Sequence, residues 1–251
     1  MQPILEIEGV SKHFGGVVAL DRLDFVLEAG ELCSIIGPNG CGKTTLFNVV
    51  TGALAPSAGR IRAAGADITN WPPFRIARTG ICRKFQVPGI YPSLSVAENL
   101  EVPRTGAPGR WRAWRLLWPS GDAEVLADML AWCGLAAKSD RPAGALSHGE
   151  KQWLEIAMQL ATGGSLILLD EPTAGMSVSE TERTAEFIRK LRDEADKSVL
   201  VIEHDMTFVE LLDCRVAVMM RGKIICEGTF ETVRADPRVI ESYLGSRAGT
   251  C

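Results

Sequence analysis

The sequence predicts an α/β fold: a strand, loop and helix core with an antiparallel β subdomain ahead of it and a helical subdomain inserted into it. Three observations carry this prediction. Residues Ile4 to Val10 and Val17 to Leu27 alternate apolar with polar positions, the pattern of half-buried antiparallel strands. Leu32 to Ile36 is a short apolar run that passes through the glycine-rich segment 37–42 into Lys43 to Val50, a helical stretch. From about residue 88 to 163, turns and short amphipathic stretches replace strand signals; in Asp122 to Trp132, Val125, Leu126, Met129 and Leu130 share one helical face. Ser165 to Leu169 and Val199 to Ile202 then read as buried strands around a helix from Glu180 to Leu191. A single domain over residues 1–251 is expected, with 88–163 as its helical subdomain. The sequence shows no internal repeat.

Composition narrows the function. Of the 251 residues, 27 are basic and 31 acidic, giving a net charge of −4. That balance offers no broad attraction to a phosphate backbone, so nucleic acid is not an expected partner. No stretch reaches the ~20 apolar residues that cross a bilayer. The start, Met1 to Glu6, lacks the basic and apolar regions of a secretory signal, so a cytoplasmic protein is expected. Seven cysteines without a Cys-x-x-Cys pair argue for reduced thiols rather than a disulfide framework or zinc site.

The chemistry begins at Gly37-Pro38-Asn39-Gly40-Cys41-Gly42-Lys43-Thr44, which fits G-x-x-x-x-G-K-[ST] in the strand-to-helix setting that pattern requires. Here a P-loop NTPase core is expected. Gly37, Asn39, Gly40, Cys41 and Gly42 would turn backbone N–H groups toward phosphate oxygens, and the following helix adds its positive end. Lys43 is expected on the β- and γ-phosphates, Thr44 on Mg²⁺, and Thr45 near the α-phosphate. The loop alone leaves ATPases, GTPases and small-molecule kinases open. Further on, Leu166-Ile167-Leu168-Leu169-Asp170-Glu171 delivers two carboxylates at the end of an apolar strand. Asp170 suits Mg²⁺ support, and Glu171 suits the activation of an attacking water.

Leu146-Ser147-His148-Gly149-Glu150 lies 20 residues before Asp170. At this segment the chain resembles the ABC transporter ATPases, whose signature reads Leu-Ser-Gly-Gly-Gln. His148 departs from the first signature glycine and Glu150 from the glutamine. The resemblance implies that Ser147, Gly149 and Glu150 belong to a surface that meets ATP held by a second subunit. It also implies that Gln86 contacts Mg²⁺ or the water, that His204 hydrogen-bonds the γ-phosphate, and that Phe14 stacks on adenine. Ala174-Gly175-Met176-Ser177 stands where the family carries a segment for communication between subunits.

Phe14-Gly15-Gly16, Arg83-Lys84-Phe85-Gln86, the string Leu146 to Ile156, Ala174-Gly175-Met176 and Arg238 to Gly245 resemble the branched-chain amino acid and urea importer group, particularly its urea-type member. That resemblance implies ATP and Mg²⁺ as ligands and two transmembrane permease subunits as partners. It further implies a head-to-tail dimer with a second ATPase subunit, a periplasmic solute-binding protein as indirect partner, and a peripheral place on the cytoplasmic face of a bacterial inner membrane. Translation-type members carry two cassettes and DNA-repair members long coiled coils, which 251 residues do not accommodate; the motor of another transporter, an exporter included, and a nucleotide-binding regulatory ATPase stay open as alternatives.

Two further expectations concern single features. Trp111, Trp114 and Trp118 recur at helical spacing among arginines, and the stripe is expected to face a permease or the membrane surface. Cys41 is expected to favour its thiolate, because Lys43 and a helix N-terminus lie beside it.

Overall fold

A computed structural model describes residues 2–83, 89–105, 122–161 and 163–245. Two sheets organise them. The first is antiparallel, in the order β2-β1-β4-β5, and is built from β1 (Pro3–Phe14), β2 (Val17–Glu28), β4 (Ala58–Ala63) and β5 (Ala66–Asp67). Its two long strands are those expected, the first extended by one residue before and four after the alternating run and the second by one residue after it. In β2 the alternation places Leu23, Phe25 and Leu27 inward while Val26 stays exposed, the outcome of a period-2 pattern on a sheet with one wet face.

The second sheet has the order β10-β9-β3-β8-β7-β6. Its strands are β3 (Leu32–Ile36), β6 (Ile81–Arg83), β7 (Leu166–Asp170), β8 (Ser198–Glu203), β9 (Arg215–Met220) and β10 (Lys223–Gly228). All neighbours pair parallel except β9 with β10. Every residue of β3, β7 and β8 is buried, which explains their unbroken apolar runs: one face packs against helices and the other against the helix Lys43–Val50 and the antiparallel sheet. The expected strand at 165–169 begins one residue later, at Leu166, and carries Asp170 as its last residue.

Between β3 and β6 run α1 (Lys43–Val50) and α2 (Pro73–Ala77). Between β6 and β7 the described residues form α3 (Val96–Thr105), α4 (Asp122–Trp132) and α5 (His148–Ala161). Val96, Leu100, Met129, Leu130 and Trp153 share one buried cluster there. The tryptophan stripe at 111–118 and Gln86 lie outside the described residues. After β7 come α6 (Val178–Asp193), α7 (Met206–Leu212), α8 (Phe230–Arg234) and α9 (Pro237–Gly245). Ser177 starts α6 with a reciprocal cap shared with Glu180, and Asp205 starts α7 by accepting from the Thr207 and Phe208 amides. In a sheet of this kind, ligands meet the carboxyl ends of the strands. Gly37, Glu171 and His204 all follow such ends.

Candidate functional site

The phosphate-type loop leaves β3 and enters α1 at Gly42. A Cβ on Gly37 would collide with the Met219 carbonyl, and one on Gly42 with the Ala19 carbonyl; Gly42 also has φ +111°. Both positions therefore demand glycine for space, and the second for conformation as well. No side chain caps α1, and no acidic residue occupies its first turn. Its first amides and the positive end of its dipole face an anion site unopposed. Asn39, Gly40 and Thr44 are exposed, and Thr45 is half-buried. Lys43 is 7% exposed; its Nζ donates to the Gly37 carbonyl at 2.6 Å and the Pro38 carbonyl at 3.1 Å. The cation thus lies along the inner rim of the loop.

Cys41 corrects an expectation. Its Sγ is 3.9 Å from the Lys43 Nζ, but the residue is buried, and burial pushes the thiol above its ordinary pKa despite the pull of Lys43. The thiol, not the thiolate, is the resting form, and Cys41 fills a small space in the loop.

Asp170 ends β7 almost fully buried. Burial pushes its carboxyl up, and Arg83 opposes that shift through an ion pair at 3.2 Å. Arg83 donates its other terminal nitrogen to the Asn48 side chain on α1 at 2.5 Å, with its guanidinium over the Phe47 ring. Arg83 therefore ties β6, β7 and α1 together at one carboxylate. The next residue, Glu171, has φ +46°, a left-handed backbone that costs a non-glycine residue about 1–3 kcal/mol. Its amide donates to the Ile202 carbonyl at 2.9 Å, and its Oε1 lies 3.5 Å from Nδ1 of His204. Both of these side chains reach solvent, whereas Glu203 below them is 1% exposed. Phe14, at the end of β1, is 46% exposed with the Lys12 ammonium 5.2 Å from its ring centre. A flat, accessible ring suits stacking against a base.

The segment before α5 forms a second centre. The Ser147 amide donates to Glu150 Oε2 at 3.0 Å, and the Glu150 amide donates to the Ser147 hydroxyl at 3.3 Å, a reciprocal helix cap. Burial raises the Glu150 carboxyl, but Lys138 and Ser147 outweigh it and hold it below its ordinary value. The Ser147 hydroxyl also donates to Glu180 on α6 at 3.2 Å. Glu180 accepts from the Ser177 amide and hydroxyl too, and those bonds hold its carboxyl low. A Cβ on Gly149 would stand 2.8 Å from Glu180 Oε1, so this glycine makes room for the tie. His148 lies outside that tie and packs its ring Nε2 3.0 Å from the Ala174 carbonyl.

The structure thus gathers Lys43, Asp170, Glu171 and His204 at the strand ends and gathers Ser147, Gly149 and Glu150 against α6. Arg83, Asn48, Glu180 and Glu203 were not singled out from sequence. Both reciprocal caps are legible as Ser-x-x-Glu, at Ser147/Glu150 and Ser177/Glu180. No local pattern marks Arg83 or Glu203, whose partners lie far along the chain.

A family model described as ABC transporter matches residues 20–174, and one described as branched-chain amino acid ATP-binding cassette transporter matches residues 223–249. The chain is 36% identical to the high-affinity branched-chain amino acid transport ATP-binding protein BraF of Pseudomonas aeruginosa, over 97% of this chain and 98% of that one. It is likewise 36% identical to the protein LivG of Escherichia coli K12, with the same two coverages. Among solved structures, the ADP conformation of MJ1267, an ATP-binding cassette of an ABC transporter, matches with a TM-score of 0.84 at 33% identity. That match covers 98% of this chain and all of the other.

Proposed function

The chain belongs to the ABC transporter family as an ATP-binding and ATP-hydrolysing subunit, and on that premise we propose that it powers uptake of branched-chain amino acids. The carrying observation is the near full-length similarity to relatives named for that transport, joined to a phosphate loop whose amides are left uncapped. Branched-chain amino acids take precedence over urea because those relatives and the carboxyl-terminal family model bear the former in their names.

The geometry of the loop and strand ends supports the following residue roles. Backbone N–H groups of the loop, Pro38 excepted, hold the phosphates, and Lys43 exchanges its two loop carbonyls for β- and γ-phosphate oxygens. Thr44 and Asp170 form an oxygen donor set that fits Mg²⁺, a hard cation that keeps water and phosphate among its ligands. The ion would supply charge neutralisation at the transferred phosphoryl group. Glu171 accepts the proton of the attacking water, and His204, 3.5 Å away, orients the γ-phosphate end. The family resemblance adds Gln86 as a ligand of Mg²⁺ or water and Phe14 as the ring that stacks on adenine.

Ser147, Gly149 and Glu150 serve the ATP of a second ATPase subunit in a head-to-tail dimer. The chain acts as one domain whose 88–163 helical part meets two transmembrane permeases, with a periplasmic binding protein delivering solute. No described helix is long and apolar enough to cross a membrane. The test is uptake by proteoliposomes holding the chain with its permeases and binding protein. Labelled leucine should enter only with MgATP inside, and Lys43→Ala should stop it. Uptake of urea without leucine would overturn the solute assignment.

A further inference from the structure

Beneath the exposed Glu171 and His204 lies a carboxylate that has so far been given no role. Glu203 ends β8, is 1% exposed, and pairs in register with Ile36, the last residue before the phosphate loop. Its Oε1 accepts the Thr173 hydroxyl at 2.7 Å and the Thr173 amide at 3.3 Å, while its Oε2 accepts the His204 amide at 3.1 Å. A buried carboxylate is tolerated only when donors meet its oxygens. Here the donors come from two sides: Thr173 follows Glu171 by two residues, and His204 follows Glu203 directly. Glu203 therefore cross-links the exits of β7 and β8. Glu171 between them keeps φ +46°, and a strained backbone persists only where its surroundings over-determine it. The Glu203 bonds, with the Glu171 amide on the Ile202 carbonyl, provide that determination.

We propose that Glu203 is a positioning residue for ATP hydrolysis: it pins Thr173 and His204 so that Glu171 and His204 face each other, without touching nucleotide itself. This rests on the reading in which Glu171 and His204 act in hydrolysis.

The test uses the full chain assembled with its partner subunits. Glu203→Gln keeps the shape but turns an amide N–H toward one of the donors. Saturating turnover should fall at least ~10-fold while the Kd for MgATP stays within about twofold, the split expected when an interaction acts on the reaction and not on binding. Thr173→Val should lower turnover in the same way, and Thr173→Ser should restore it; this pair decides the matter if Glu203→Gln does not fold. In a His204→Ala background Glu203→Gln should add less than about twofold, because residues acting through one another are non-additive. Unchanged turnover in Glu203→Gln and Thr173→Val, or effects that multiply with His204→Ala, would overturn the proposal. Wild-type turnover in both Glu171→Gln and His204→Ala would instead overturn the reading beneath it.

Discussion

The helix α1 begins at Gly42 with no side chain on its first amides, whereas α5 begins at Ser147 inside a reciprocal cap with Glu150 and a further tie to Glu180. Both starts stand where the sequence predicts contact with ATP. The contrast teaches what each is built to do. An uncapped helix start with glycines behind it leaves its N–H groups for an anion and is completed by ligand. A capped start is already complete within its own chain and presents a fixed surface. On the proposed function, the first belongs to a site this chain owns and the second to a site it finishes for a partner.

Substitutions sharpen this contrast in descending order of effect. Glu171→Gln at the first centre should lower turnover by about 10²- to 10⁴-fold, the usual worth of general-base help, with ATP still bound. Turnover and retained ATP, measured together on the assembled transporter, check it. Lys43→Ala removes a charge-assisted phosphate contact worth about 1.5–3 kcal/mol, hence about 10- to 100-fold in nucleotide affinity by calorimetry. Ser147→Ala at the second centre deletes a helix cap and should cost about 1 kcal/mol in denaturant unfolding, without altering ATP binding by the same chain. The smallest effect concerns Cys41: native protein near neutral pH should be labelled slowly by N-ethylmaleimide, since burial keeps the thiol protonated. Rapid labelling would restore the thiolate expectation.

The two centres were also unequally legible. β3 and α1 appear over the residues expected, Leu32–Ile36 and Lys43–Val50, because the glycine pattern fixes both the turn and its flanks. The phosphate loop is a local device, and local devices write themselves into local sequence. By contrast β4 and β6 went unread: Ala58–Ala63 carries two arginines in six residues, and Ile81–Arg83 is three residues long. Each is a strand only because a neighbour pairs with it. The same holds for side chains. Arg83 meets Asp170 across the sheet, and Glu203 meets Thr173 across two strand ends, so neither shows a spacing that sequence reading detects. The thiolate expectation at Cys41 failed for a related reason, since proximity to Lys43 follows from sequence but the burial that outweighs it does not.

The central claim is that the two helix starts serve two different ATP molecules, and Ser147→Arg tests it most directly. A long cation at that exposed position obstructs a partner's nucleotide while leaving the chain's own phosphate loop untouched. Measured side by side with Lys43→Ala, the Ser147→Arg chain should bind MgATP within about twofold of the unaltered chain when isolated. In the assembled transporter it should nonetheless lose turnover and ATP-dependent closure of the ATPase pair. Loss of MgATP affinity in the isolated Ser147→Arg chain equal to that of Lys43→Ala, or full turnover after assembly, would contradict the account.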